Sequence, residues 1–232
     1  MRPKILAIAA HPGDALFTMG AAVARQIEAG GAGGFLSLSL GERGAPKAIP
    51  VEQYGRMQRE AMEKAARSLG ATAAFLSYPD AQIPCNEEIT LAVCDVIRAE
   101  RPDILLTHWS GSWHKDHQNC HLIVRDAVFY AGLATLARRQ PAHQVRKVYY
   151  AENWEDASGF QPDIYLNIET VYQRWLEACD CFPMWRGQTG FFRYNDYYSS
   201  LAVMRGCLAG FKYAVALMSE PSQRMERVPS LG

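Results

Sequence analysis

An α/β fold, with a mostly parallel sheet covered by helices on both faces, is what this sequence predicts, and three observations carry it. Short apolar runs alternate with segments whose apolar residues recur at helical spacing. Four strand–helix units follow one another from the N-terminus, the pattern of a parallel sheet with crossover helices. The chain has 232 residues, a length that one open sheet domain fills and that buries roughly 70–75% of its unfolded surface without a disulfide or metal staple.

The first unit pairs an apolar run over residues 4–10 with a helix over 14–29, whose face carries Leu16, Met19, Val23 and Ile27. The apolar run resembles a signal peptide, but it stops at once in His11-Pro12-Gly13-Asp14 and reads as a buried strand. Gly30-Gly31 and Gly33-Gly34 break the helix before a second strand over 34–40. A helix over 51–69 aligns Tyr54, Met57, Ala61, Ala65 and Leu69, and Gly70 stops it. The third strand covers 72–77, and a helix over 86–100 starts on an Asn86 cap with Ile89, Val93 and Ile97 inward. Arg101-Pro102 announces the fourth strand, 103–108, followed by a helix over 116–132. Later strands are expected over 147–152 and 163–168, and helical patterns over 169–182 and 194–217. Residues 1–232 thus read as a single domain with a helical C-terminal segment, and 219–232 as a loose tail. Long irregular stretches lie at 41–50, 110–115, 153–162 and 183–193, where function concentrates in α/β domains.

Composition narrows the function. Lys+Arg and Asp+Glu both number 24, so neither nucleic acid nor an anionic membrane is expected as the main partner, because both are bound chiefly by basic patches. No stretch approaches the roughly 18 apolar residues of a membrane span. Six cysteines are spread without a disulfide framework or a CxxC pair, which points to a reduced, cytoplasmic protein.

The histidines are clustered. His108, His114, His117 and His121 fall directly after the fourth strand, and His11 directly after the first. In a doubly wound sheet the carboxyl ends of these two strands adjoin at the point where the winding reverses, and ligands bind there. His11-x-x-Asp14 and His114-x-x-His117 are therefore expected to converge. Two imidazoles and a carboxylate match a catalytic zinc site with an open position. An alternative is a local three-histidine site of His114, His117 and His121, the last two being i, i+4 on one helix face. A third reading, a nucleotide-binding α/β protein with structural histidines, lacks a dinucleotide fingerprint: Gly31-x-Gly33-Gly34 precedes the second strand instead of following the first.

Ala10-His11-Pro12-Gly13-Asp14-Ala15 resembles the AHPDDE motif of the PIG-L/LmbE-like zinc deacetylases, and His114-Lys115-Asp116-His117 their H-x-D-H motif. Leu40-Gly41-Glu42-Arg43-Gly44 is similar to the family's G-E loop, and the stretch from Arg205-Gly206 to Gly210-Phe211-Lys212-Tyr213-Ala214 to its ending. The resemblance implies a Rossmann-like three-layer sandwich that binds zinc or another divalent metal through His11, Asp14 and His117. It implies removal of an acetyl group from an N-acetylglucosamine-type or related N-acyl small molecule. His114 would stabilise the oxyanion or protonate the leaving amine, with Asp116 fixing its tautomer.

One position departs from that pattern. Gly13 stands where the family has the acid that serves as general base, a function worth roughly 10²–10⁴ in rate, and Ala15 stands where it has Glu. Either Glu42 or Asp80 supplies the base, or metal-activated water works without one, or the protein binds metal and sugar without hydrolysis. Arg43, Trp113 and Tyr78 are the expected substrate contacts, with Lys47 and Trp109 nearby. An aromatic cluster of Phe191, Phe192, Tyr194, Tyr197 and Tyr198 covers the pocket or forms the interface of a homo-oligomer.

Overall fold

The computed structural model describes residues 3–188, 190 and 192–221. In chain order the elements are β1 (Lys4–Ala9), α1 (Pro12–Glu28), β2 (Ala32–Ser39), a single 3-10 turn (Glu42–Gly44), α2 (Val51–Leu69), β3 (Thr72–Tyr78), α3 (Glu87–Glu100), β4 (Ile104–His108), α4 (Lys115–Gly132), β5 (Lys147–Ala151), β6 (Ile164–Asn167), α5 (Tyr172–Cys179), α6 (Tyr194–Ala209) and β7 (Ala214–Ser219). The strands form one seven-stranded sheet in the order β3-β2-β1-β4-β5-β7-β6. The first five are parallel, and β7 runs antiparallel to both β5 and β6. Winding reverses between β1 and β4, which pair from Ile5↔Ile104 to Ala7↔Leu106. Their carboxyl ends flank the crevice where an open α/β sheet binds ligands.

Two apolar layers sandwich the sheet. One joins α1, α2, α5 and α6 residues such as Leu16, Met62, Trp175 and Tyr198, and the other joins α3 and α4 residues such as Ile89, Val93, Ile123 and Val124. Twelve of the seventeen residues of α1 are buried, because this helix is covered by the sheet on one side and by α2 and α5 on the other. The Trp175 indole donates to the Leu16 carbonyl at 3.0 Å, tying α5 to α1. Each fully buried Leu, Met or Val on α1 contributes about 1.5–3 kcal/mol, so the helix that carries two of the expected metal ligands at its start is firmly seated.

Three expectations change. Residues 214–217, read as the end of a helix, belong to β7 instead. Gly210 ends α6 in the left-handed region, at φ 73°, and Ala214–Ser219 is a short apolar run of the kind that periodicity cannot assign. The helix over 169–182 is shorter, spanning only Tyr172–Cys179. The second strand begins earlier: Gly33 lies inside β2, where a Cβ would sit 2.6 Å from Val23 Cγ1, so the glycine marks close helix–strand packing rather than a break. Of the expected tail, Ser219 ends β7 and donates to Asp163 Oδ1 at 2.8 Å, and the Glu220 amide donates to the Val148 carbonyl at 3.2 Å. Residues 222–232 and Phe191 lie outside the described residues. None of the described helices is long and apolar enough to cross a membrane, and all six cysteines are unpaired.

Candidate metal centre and active site

α1 begins at Pro12, which fits the first turn because its missing N–H would go unpaired there anyway. His11 is therefore the N-cap residue, and Asp14 sits in the first turn with its carboxylate turned toward the sheet end rather than onto its own backbone. From the other side of the crevice, His114 is the N-cap of α4 and His117 lies in its first turn. His11 Nδ1 and Asp14 Oδ2 are 2.8 Å apart, His117 Nε2 and Asp14 Oδ2 3.1 Å, and His117 Nε2 and His11 Nδ1 3.4 Å.

Behind each imidazole stands a carboxylate. Asp80 Oδ1 is 2.9 Å and Asp116 Oδ2 3.5 Å from His11 Nε2, and Glu155 Oε2 is 2.9 Å from His117 Nδ1. Ser112 Oγ also approaches His117 Nδ1, at 3.3 Å. These partners favour the tautomers that leave His11 Nδ1 and His117 Nε2 free to ligate. Asn153 Nδ2 donates to Asp14 Oδ1 at 3.0 Å, and the Tyr198 hydroxyl donates to Asn153 Oδ1 at 3.2 Å.

The electrostatics follow from this company. Burial works to lower the His11 pKa, but contacts with Asp116, Asp14 and Asp80 overcome it and raise it well above the usual value. Burial likewise opposes charge on His117, and Asp14 and Glu155 push it up to about 9. Burial alone would raise Asp14; the His117 charge and the hydrogen bonds from both histidines hold it well below the usual carboxylate range. His11 Nε2 and both oxygens of the fully buried Asp116 have no aligned hydrogen-bond partner. A buried, strongly anionic cluster with orphaned polar atoms and three converging N and O donors is suited to a divalent cation. Zinc bonds of about 2.0–2.1 Å in a tetrahedron space the ligand atoms by roughly 3.3 Å, close to the separations of the trio. Among the described residues the groups able to hold a metal ion are His11, Asp14 and His117, and His11, His114 and Asp116.

The local three-histidine alternative does not form. His121 donates through Nδ1 to the His108 carbonyl at 3.1 Å and packs on Trp109 and Tyr150, away from the cluster. His108 Nε2 accepts from the Ala10 N–H at 3.1 Å, and its ring stacks on His117 at 4.0 Å.

His114 lines the cavity, and its Nδ1 accepts from the backbone N–H of Asp116 at 3.2 Å. Its tautomer is thus held by the Asp116 main chain, while the Asp116 carboxylate turns to His11. Burial, followed by the charges of His117 and His11, lowers the His114 pKa, so the ring is neutral with a proton on Nε2.

A cavity of about 410 Å³ opens onto the cluster, lined by His11, Asp14, His114 and His117 together with Gly13, Arg43, Asp80, Trp154, Met184 and Tyr194. Arg43 faces it as expected. Gly41, at φ 65°, makes the left-handed turn that brings Glu42 and Arg43 to the sheet end. Glu42 is not in the wall: its Oε1 accepts from the Asp80 N–H at 2.8 Å and its Oε2 is buried without a partner. Asp80, from the segment after β3, reaches the cavity and its Oδ2 accepts from the Arg43 N–H at 2.9 Å. Two expected contacts fall outside the lining. Tyr78 packs on the α3/α4 layer, and Trp113 is 58% exposed, leaning on Trp154 and His114 at the rim. Sequence reasoning missed Asn153, Trp154, Glu155, Met184 and, as a wall residue, Gln58. The usable signal was the long loop at 153–162, since β5 lies beside β4.

Comparison with known proteins identifies relatives of this chain. A family model described as PIG-L: GlcNAc-PI de-N-acetylase matches residues 6–128. A 4-oxalmesaconate hydratase of Pseudomonas putida KT2440 is 26% identical over 214 residues, covering 88% of this chain and 80% of the relative. A diacetylchitobiose deacetylase of Thermococcus kodakarensis is 23% identical over 232 residues, 94% and 83% of the two chains. The crystal structure of GalB, the 4-carboxy-2-hydroxymuconate hydratase of Pseudomonas putida KT2440, superposes with a TM-score of 0.86 at 23% identity and covers 98% of each chain.

Proposed function

Since the chain belongs to the GlcNAc-PI de-N-acetylase (PIG-L) family, we propose that it is a divalent-metal-dependent hydrolase removing an acetyl group from an N-acetylglucosamine-type or related N-acyl small molecule. The observation that carries this reading is the convergence of His11, Asp14 and His117 within 3.4 Å, with a carboxylate behind each imidazole. Outer carboxylates of this kind orient ligating histidines and raise their basicity. When bound by this trio, zinc or a similar cation would polarise the acyl carbonyl and acidify a water at the site.

The protein's own groups do the rest. His114, with its proton on Nε2, hydrogen-bonds the carbonyl oxygen as charge builds on it, and the proton that a nearby carboxylate takes from the attacking water passes to the departing nitrogen. Asp116 serves twice, its main chain fixing His114 and its carboxylate facing His11. With Gly13 unable to take a proton, the carboxylates of the loop after β2 and β3 are the nearest candidates: Asp80 at the cavity and Glu42 against its backbone. Arg43 meets a polar or anionic group of the substrate at the mouth. We place the activity in the cytoplasm, in keeping with six unpaired cysteines, and within one domain over 1–232. Exposed Val203, Met204 and Leu208 on α6 support self-association through that helix.

A second reading is favoured by Gly13 together with the hydratase relatives: addition of water to a polarised carbon–carbon double bond at the same centre. A third, non-hydrolytic binding of metal and sugar, also follows from Gly13. Metal analysis of the purified protein, with screens for amine release from N-acetyl sugars and for hydration of unsaturated oxo-acids, separates the three. Stoichiometric metal with amine release is expected. Protein that neither contains nor takes up a divalent metal sinks the proposal; hydration without amine release moves it to the second reading, and ligand binding without either reaction to the third.

A further inference from the structure

We infer that the Tyr194 hydroxyl is a second hydrogen-bond donor to the reacting group, opposite His114, and that Gly13 is part of the arrangement that admits it. This rests on the metal-centre reading above. Tyr194 is the first residue of α6 and lines the same cavity as His11, Asp14, His114 and His117. Its ring is clamped, with Phe17 at 5.5 Å and Phe192 at 4.8 Å between centroids. Among the described residues its hydroxyl has no hydrogen-bond partner, unlike that of Tyr198 four residues on, which donates to Asn153. Half-buried in the cavity wall, the phenol presents its O–H to whatever occupies the cavity. Burial, then the nearby charges of Asp14 and Glu155, hold it protonated well above the usual tyrosine range. It can therefore donate but not act as a base.

Gly13 connects to this through one ring. A Cβ at position 13 would lie 3.3 Å from Phe17 Cε2 and 3.4 Å from Met184 Sδ. A side chain there presses on Phe17, the ring against which Tyr194 rests. Phe17 and Met184 form the cavity wall beside Gly13, where an acid would press against them. The polar group on that side of the cavity comes instead from the C-terminal helix, as a donor.

The test uses zinc-loaded full-length protein and acetohydroxamate, a small acyl probe that needs both metal and donors, with affinity measured by calorimetry. Tyr194→Phe is expected to bind it about 2–10-fold more weakly at unchanged zinc content and melting temperature, the effect of losing one hydrogen bond. Tyr197→Phe, on the same helix but outside the cavity, is expected to match wild type within twofold. Gly13→Asp should also weaken binding, and adding Tyr194→Phe to it should cost less than Tyr194→Phe alone. Equal affinity of Tyr194→Phe and wild type overturns the assignment of Tyr194 while leaving the metal centre standing. Full additivity with Gly13→Asp overturns the link through Phe17. Wild-type protein that takes up no zinc, or binds no hydroxamate when loaded, overturns both readings.

Discussion

Two pairs of histidines at the carboxyl end of this sheet are put to opposite uses. His11 and His117 are surrounded by Asp14, Asp80, Asp116 and Glu155 and are pushed toward the charged form. His108, stacked on His117, and His121, farther off beside Trp109, have backbone partners instead. For both, burial is the largest influence and lowers the pKa, in His108 well below the usual value. Residue type and depth are shared; what differs is the number of carboxylates facing each ring. The front pair makes a hole for a cation, and the back pair makes a neutral floor that fixes the strand ends.

The largest effect that tests this contrast is removal of a front histidine. His117→Ala should abolish both zinc retention and turnover, read by metal analysis and product release, because it leaves Asp14 and Glu155 facing each other across a gap. His114 stands between the two pairs: it faces the cavity yet is neutral. His114→Ala should keep the metal and lower turnover by about 10²–10³-fold, the range for removing one oxyanion donor. Loss of metal as well would place His114 among the ligands, as the second grouping with His11 and Asp116 allows.

A back histidine should behave differently. His108→Ala removes the acceptor for the Ala10 N–H and the ring stacked on His117. An unpaired buried N–H costs about 1–3 kcal/mol, which for a chain of this size is a fall in Tm of several degrees. Metal stoichiometry should survive. A stable His108→Ala protein devoid of metal would show that the floor is part of the ligand set after all.

The contrast also explains what the sequence could reveal. His11, Asp14 and His117 were legible because each lies at or within the first turn of a helix that follows a strand, and four successive strand–helix units of a doubly wound sheet suggest β1 beside β4. The order of the last strands is not fixed that way. β7 inserts antiparallel between β5 and β6, a choice decided by packing of short apolar runs rather than by any local signal. Asn153 and Glu155, which arrive from the loop after β5, and Met184, from the loop before α6, therefore stayed hidden, and Tyr194 showed only as one of several aromatics. Tyr78 and Trp113 failed for a different reason. Proximity to a strand end does not say which way a side chain turns, and Ser77 in the left-handed region at φ 59°, beside a register shift in the β2–β3 pairing, re-aims the end of β3.

The smallest expected effect concerns a carboxylate that belongs to neither pair. Asp156 is pushed up to about 7, first by burial and then by the charges of Glu152 and Glu155, against the Asn153 N–H that donates to its Oδ2 at 2.9 Å. Its Oδ1 is buried without a partner, so the folded protein favours the protonated acid. Because the folded pKa lies above the ordinary value of 3.8, folding takes up a proton. The stability this group contributes is whole below about 4 and is lost as pH rises through about 7. Asp156→Asn keeps an acceptor for the Asn153 N–H and cannot ionise. Its Tm should exceed that of wild type by a few degrees at pH 8, with the gap closing between pH 7 and 4. Asn153 holds Asp14 through its side chain, so the same variant should keep its metal across that range. A pH-independent gap would mean that Asp156, unlike the front histidines, finds in solution a partner that neutralises its charge.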